Sequence, residues 1–266
     1  MDFQHLQNVY FCFQQYSLLR CFVLLNALDK AGAVVGPLIA YAVLHYFGQT
    51  KQIFFLLFVI ALVPAVLAVI VLALISEKKA IPEKKQNFFK VKTSKEFKHY
   101  LCSAGIFSLA YFSFGFLLLK AYIVGFAIAD VVLLYALFNF AFVIAAAPLG
   151  KLGDKIGRKK IIIAEYVLYA LMCLGFIFAV SKLHIILLFI VFGIFYAIDE
   201  SQSKAYIADI EKKHRATAIG LYNFTTGLIY LPASIIAGLL WKFNPAYAFM
   251  FAAGVSVIAL LFFMKK

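Results

Sequence analysis

Acidic and basic side chains that lie close together in an apolar segment are the first candidates for chemistry in this sequence. Asp199 and Glu200 are adjacent within the apolar segment 183–206, and Lys204 follows Glu200 by four residues. Because four residues make about one helical turn, Glu200 and Lys204 would share a helix face and could form an ion pair. Two interpretations stay open: a neutral pair that tolerates burial, or a carboxylate that gates, carries protons or contacts a ligand.

A second polar cluster is the run from Gly150 to Lys160, which separates two long apolar segments. Its glycines predict that two helices turn within a few residues. Asp154 could accept hydrogen bonds from a neighbouring helix N-terminus and pair with a basic residue. The basic side chains would hold the turn at an anionic surface. A generic basic loop between two helices would share these features.

The composition excludes a soluble globular protein. The 266 residues are 65% apolar and 14% charged, whereas soluble domains are about 45–50% apolar and about 25% charged. Stretches of about 20 apolar residues can cross the hydrocarbon core of a bilayer as helices. The sequence therefore predicts an all-α polytopic membrane protein with about eight spans. These spans are 22–47, 52–75, 99–122, 125–149, 161–180, 183–206, 216–241 and 244–264.

The net charge of +13 is distributed according to membrane topology. Of the 25 Lys and Arg residues, only Lys51, Lys120, Lys182 and Lys242 lie on one set of connections, and the others lie on the alternate connections and the termini. This alternation is typical of the positive-inside rule and predicts a multi-pass protein of the plasma (inner) membrane with both termini in the cytoplasm. Since topology explains the charge, no nucleic-acid partner is expected.

Neither an enzyme nor a metal or cofactor site is indicated. The four cysteines, Cys12, Cys21, Cys102 and Cys173, form no C-x-x-C pair and are expected to be packing residues. The sequence contains no G-x-S-x-G, no H-E-x-x-H and no phosphate loop, which argues against hydrolytic chemistry and ATP-driven transport. Residues 1–20 also lack the pattern of a cleavable signal peptide.

The run after Gly150 resembles the G-x-x-x-D-[RK]-x-G-[RK]-[RK] signature of the major facilitator superfamily. The segment 204–224 is similar to the junction of the tenth and eleventh helices in a bacterial subfamily, and the resemblance covers roughly residues 26–266. It implies secondary transport by alternating access, in which two helical bundles rock about a midplane site. The signature positions are Gly150, Asp154, Lys155, Gly157, Arg158 and Lys159.

The long polar segment 76–98 divides two predicted spans from six. In the superfamily, a cytoplasmic loop of this kind joins the two six-helix halves. The resemblance therefore implies that residues 1–75 are a remnant of the N-terminal bundle, that 76–98 are the central loop and that 99–266 are the complete C-terminal bundle. The first four helices would be absent, and a missing N-terminal half is a candidate partner.

Two glycine–proline segments support this numbering. The segment from Gly32 through Gly36 to Pro37 resembles the G-x-x-x-G-P element of the fifth helix in the superfamily, and an offset of 195 residues places Gly32 on Gly227 and Pro37 on Pro232. Glycines four residues apart predict a flat face for a closely packed helix, and the prolines predict kinks. Ordinary packing of small residues would give the same pattern.

Other polar side chains in the predicted spans are candidates because a charge at the bilayer centre costs at least about 2.5–3.5 kcal/mol. Asp29 lies in the first turns of the span 22–47, and the resemblance places this helix end near the hairpin. Asp154, Arg158 and the helix that starts near Arg20 would then form a cytoplasmic latch that breaks on opening. Helix-packing or interfacial roles are expected for Asp130, Asn139, Glu165 and Asn223.

The sequence thus predicts a secondary transporter that moves a small solute across a lipid bilayer, with protons as the candidate coupling ion. The alternative is a truncated remnant that transports nothing, or a subunit of another membrane protein, because eight spans do not complete a cavity between two six-helix bundles. A membrane-embedded enzyme is disfavoured, since no cluster of ligating or acid–base residues occurs at helical spacing.

Overall fold

The computed structural model describes residues 32–74 and 93–265, which form nine helices with short connections and contain no strand. Within these ranges seven segments are long and apolar enough to cross a membrane, with α3 and α4 counted as one. The predicted all-α polytopic membrane fold is therefore confirmed. The helices are α1 Gly32–Phe47, α2 Lys51–Leu74, α3 Lys95–Ala110, α4 Gly115–Ile123, α5 Ile128–Ile156, α6 Arg158–Phe178, α7 Lys182–Ile210, α8 Arg215–Phe243 and α9 Pro245–Met264.

The first predicted span, 22–47, is described only in its second part, the shorter apolar helix α1. Asp29, Arg20, Cys12 and Cys21 lie outside the described residues, as does most of the predicted central loop. The part of the proposed latch that involves the helix start near Arg20 therefore also lies outside them.

Several helices begin where the sequence supplies a capping side chain. The Ser94 hydroxyl accepts a hydrogen bond from the Phe97 N–H at 3.1 Å before α3, and Asn244 Oδ1 accepts one from the Ala246 N–H at 2.8 Å before α9. Asn244 precedes Pro245, which suits the first helical position because its missing N–H would have no partner there.

Helices α3 to α9 pack into one bundle around an aromatic core. Helix α5 packs along α7, α6 lies between α7 and α9, and α3 lies between α8 and α9. At Gly193 of α7, a Cβ would lie 2.6 Å from the carbonyl oxygen of Phe138 and 2.7 Å from Ala141 Cβ, so a side chain there would push α5 away. This close contact is typical of membrane helices, which associate through packing of small residues.

Helix α2 lies apart from this core. No residue of its span Lys51–Val71 is buried against the described part of the chain, and Phe55 and Phe58 are 71% and 76% exposed. A helix that is apolar on all sides suits direct contact with lipid.

The predicted span 99–122 corresponds to the apolar segment Lys95–Ile123, but its helix is broken between Ala110 and Gly115. Two distant side chains stabilise the break: the Tyr169 hydroxyl on α6 donates to the Ala110 carbonyl at 2.7 Å, and the Ser113 N–H donates to the Ser234 hydroxyl on α8 at 3.2 Å. The backbone groups freed from the helix thus find partners inside the bundle.

The polar run 150–160 is almost entirely helical, and the two helices do not end where their apolar segments end. Helix α5 continues to Ile156 and α6 begins at Arg158, so Gly157 alone connects them. Gly157 has φ of 94°, a conformation that favours glycine. The two helices do turn within a few residues, as predicted, but among the glycines of the run only Gly157 lies in the turn, because Gly150 and Gly153 lie inside α5.

The glycine–proline segments also differ from expectation. Within the described ranges, no heavy atom lies within 4 Å of the Cβ position at Gly32, Gly36 or Gly227. The predicted close helix approach at Gly32 and Gly36 is thus not observed there. Pro37 and Pro232 lie inside α1 and α8, which continue on both sides of them.

Candidate functional site

A polar cavity of about 240 Å³ lies between α3, α7 and α8. Its α7 side chains follow the spacing i, i+3, i+4, i+7, i+8, which places them on one face of a helix. Its α8 side chains form a second stripe that faces the first. The lining residues are Tyr111 directly after the end of α3, Tyr196, Asp199, Glu200, Ser203 and Lys204 from α7, and Tyr222, Asn223, Thr226, Gly227 and Tyr230 from α8.

Glu200 and Lys204 form an ion pair in the cavity wall between Lys204 Nζ and Glu200 Oε1. Their side chains are 44% and 42% exposed. The pair is therefore open to solvent on the cavity side. A pair this exposed contributes at most about 1 kcal/mol to stability, so its position in the cavity is more informative than its energy.

Asp199 faces a second carboxyl group across the boundary between α6 and α7. Glu165 on α6 is only 1% exposed, and its carboxyl lies within hydrogen-bonding reach of that of Asp199. The Glu165 oxygen Oε2 has no hydrogen-bond partner in the described part of the chain. The expectation that Glu165 is only a packing group did not include this neighbour.

Aromatic rings fix the helices around this cluster. Phe107 of α3 stacks on Tyr166 of α6 with ring centroids 4.3 Å apart, and Tyr111 contacts Tyr230 of α8 at 5.2 Å. The Ser256 hydroxyl on α9 donates to the Tyr166 carbonyl at 2.8 Å. These contacts hold the cavity wall in a defined shape, since buried aromatic pairs favour specific geometries.

The signature residues form a charge cluster at the turn between α5 and α6. Arg158 donates from Nη2 to Asp154 Oδ1 and from Nε to Asp209 Oδ2, both at 2.7 Å. Among the described residues Asp154 thus pairs with Arg158 and caps no helix. Asp209, near the end of α7, had not been singled out from the sequence.

The remaining signature residues have different surroundings. Gly153 is buried against Gln202 of α7, whose Nε2 donates to the Leu149 carbonyl at 3.2 Å. Lys159 Nζ lies 5.6 Å from the centroid of the Phe263 ring. Lys155 is exposed. In the described ranges, no heavy atom of another helix lies within 4 Å of the Cβ position at Gly150.

The weaker polar candidates are dispersed. Asp130 lies in the first turn of α5, beside an apolar groove lined by α1 and α5. Asn139 Nδ2 donates to the Tyr135 carbonyl within α5 at 2.9 Å, and Asn223 lines the cavity. The described residues contain no group of three His, Cys, Asp or Glu that could hold a metal ion.

The sequence profile described as Major Facilitator Superfamily matches residues 100–266, which is more than half of the chain. The chain belongs to the major facilitator superfamily. The predicted resemblance is thereby confirmed, and this family is one of transporters and not of enzymes.

A curated facilitator-family relative supports the same conclusion. An uncharacterized MFS-type transporter of Methanocaldococcus jannaschii is 35% identical over 244 residues, which cover 88% of this chain. The same residues cover 60% of that relative, so this facilitator-family chain spans about three fifths of the length of the curated protein that it matches.

Proposed function

We propose that this facilitator-family chain takes part in secondary transport of a small solute by alternating access, and that the cavity between α3, α7 and α8 contributes one wall of the solute pathway. The observation that carries the proposal is the convergence of two polar helix stripes in a chain that is 65% apolar. Polar side chains inside membrane spans are costly and commonly mark transport pathways.

The chemistry of the cavity suits a solute that forms hydrogen bonds. Four tyrosines, Ser203, Asn223 and Thr226 provide donors and acceptors, and the Glu200–Lys204 pair presents both signs of charge. A solute with a carboxylate or an amine could replace one member of the pair as a partner.

The size of the cavity supports a shared site. Its volume of about 240 Å³ is below the roughly 300–1,000 Å³ of ligand pockets. In this proposal α3–α9 are the C-terminal bundle, α1 and α2 belong to the N-terminal bundle, and further helices of that bundle complete the site at the midplane.

Solute uptake by the full chain in proteoliposomes tests the proposal. A panel of labelled amino acids, sugars and organic cations is offered, with a pH gradient in either direction. We expect at least one solute to accumulate, and Tyr230→Phe to weaken its uptake more than Tyr247→Phe does. Tyr247 is a suitable control because it is 51% exposed on α9 and does not line the cavity.

The outcomes separate the two hypotheses drawn from the sequence. Equal uptake by both tyrosine variants would overturn the assignment of the cavity. Binding of a solute without uptake, measured by thermal stabilisation of the purified chain, would instead support a subunit that needs a partner for transport.

A further inference from the structure

We propose that Glu165 and Asp199 form a proton-holding site behind the cavity, in which the two carboxyl groups share one proton and Asp199 exchanges it with water in the cavity. This inference rests on the transport function proposed above and supplies its coupling ion. It concerns residues on two different helices that the superfamily signature does not include.

A proton-holding site needs one carboxyl group that water can reach and one that it cannot, and the two groups differ in this way. Glu165 is 1% exposed, and its Oε2 has no hydrogen-bond partner among the described residues. Asp199 is half-buried and lines the cavity. A proton can thus reach Asp199 from water, whereas Glu165 holds it away from solvent.

The charges around the pair do not neutralise two carboxylates. Among the described residues, Lys204 is the cation that acts on Asp199, and Glu200 already binds its ammonium group. The other ionisable side chains that face the pair are tyrosines, which carry no positive charge. They are Tyr100 of α3, Tyr111 directly after α3, Tyr166 and Tyr169 of α6, Tyr196 of α7, and Tyr222 and Tyr230 of α8.

Two carboxyl groups within hydrogen-bonding reach favour a state with one proton, because like charges at that separation repel and the protonated group can donate to the ionised one. In the proposed step, a hydronium ion in the cavity gives its proton to an Asp199 oxygen and leaves as water. The new O–H group donates to Glu165, and the pair changes from two negative charges to one. When the cavity opens to the other side of the membrane, Asp199 releases the proton to water, and the step is reversed.

Infrared difference spectroscopy of the purified full chain tests the site without any need for transport. The C=O stretching band of a protonated carboxyl group is recorded at neutral pH, and its shift is followed after transfer into D₂O. We expect the wild-type band to be present and to exchange rapidly. Asp130→Asn is the matched control, since Asp130 is a half-buried carboxyl that lies outside the cavity, and the exchanging band should survive this change.

The two site variants have different expected results. Glu165→Gln should remove the band, because Asp199 alone is open to the cavity and ionises. Asp199→Asn should keep the band but slow its exchange, because the remaining Glu165 is buried and unpaired. This second variant decides the question if Glu165→Gln does not fold, as judged by its elution in size-exclusion chromatography.

A missing band in the wild-type protein, an undiminished band in Glu165→Gln, or wild-type exchange in Asp199→Asn would each overturn the proton site. Failure of the transport function is a separate result. In that case no solute is taken up in proteoliposomes, but the band and its exchange remain as expected.

Discussion

Arg158 Nε donates a hydrogen bond to Asp209 Oδ2 at 2.7 Å, although the two residues lie 51 positions apart in the chain. Arg158 is the first residue of α6, and Asp209 lies one residue before the end of α7. Because Arg158 also binds Asp154, a single guanidinium connects the ends of α5, α6 and α7. Arg158 of the signature therefore joins three helices of the same bundle.

The cluster should contribute modestly and cooperatively to stability. Exposed ion pairs are worth about 0.2–1 kcal/mol each, and the two aspartates are 62% and 59% exposed. We expect Arg158→Met to lower the free energy of unfolding in mixed detergent by more than Asp154→Asn or Asp209→Asn alone. Lys155→Met is the control, because Lys155 is an exposed neighbour outside these pairs. An equal loss of stability in that variant would refute the role of Arg158 in joining the three helix ends.

The turn between α5 and α6 should depend on one glycine. Gly157 has φ of 94°, and a residue with a side chain loses about 1–3 kcal/mol in such a sparsely populated conformation. We expect Gly157→Ala to lower the unfolding temperature. Gly150→Ala should leave it unchanged or raise it, because Gly150 is helical with open space at its Cβ position. The opposite order of the two variants in a thermal-shift measurement would contradict this assignment.

The Glu200–Lys204 pair should matter more for solute binding than for folding. Both side chains are more than two fifths exposed, so Glu200→Gln should change the free energy of unfolding by less than about 1 kcal/mol. The double change with Lys204→Met should recover most of that small loss, because it removes the unpaired charge. If the pair is purely structural, the double variant will also regain full uptake in proteoliposomes. We expect it not to.

Much of the helical fold could be predicted, because apolar length reports directly on membrane spans. Hydropathy nevertheless marks where a chain leaves the hydrocarbon and not where its backbone stops being helical. Helix α5 therefore extends to Ile156, seven residues beyond the apolar segment that ends at 149. The break after Ala110 could not be predicted, because it depends on Tyr169 and Ser234 from other helices.

The candidate site was predictable only in part. Asp199, Glu200 and Lys204 stand out because charge is rare in these spans, and the structure brings the last two into contact. The neutral lining residues are harder to find from the sequence. Their only signal is that polar residues such as Ser203 and Thr226 recur at helical spacing within α7 and α8. The contacts of Asp199 with Glu165 and of Arg158 with Asp209 join different helices, so no spacing within one segment reveals them.

The basic residues are concentrated on alternate connections, and this distribution predicts the membrane topology. Reporter fusions after Lys266 should report a cytoplasmic location, and an insertion at Gln49 should report the opposite side of the membrane. A second insertion at Glu83 should agree with Lys266. A periplasmic signal at Glu83 would contradict the predicted orientation.

The proposed solute pathway requires the cavity between α3, α7 and α8 to be open to water. Thiol labelling with a charged, membrane-impermeant reagent tests it most directly, in a chain whose four cysteines are replaced by serine or alanine. Asn223→Cys places a thiol in the cavity, and Leu228→Cys places one on the same helix outside it, where Leu228 is 64% exposed. We predict rapid labelling of Asn223→Cys and little labelling of Leu228→Cys in intact membranes. Equal resistance of both variants to the reagent would contradict a water-filled pathway at this site.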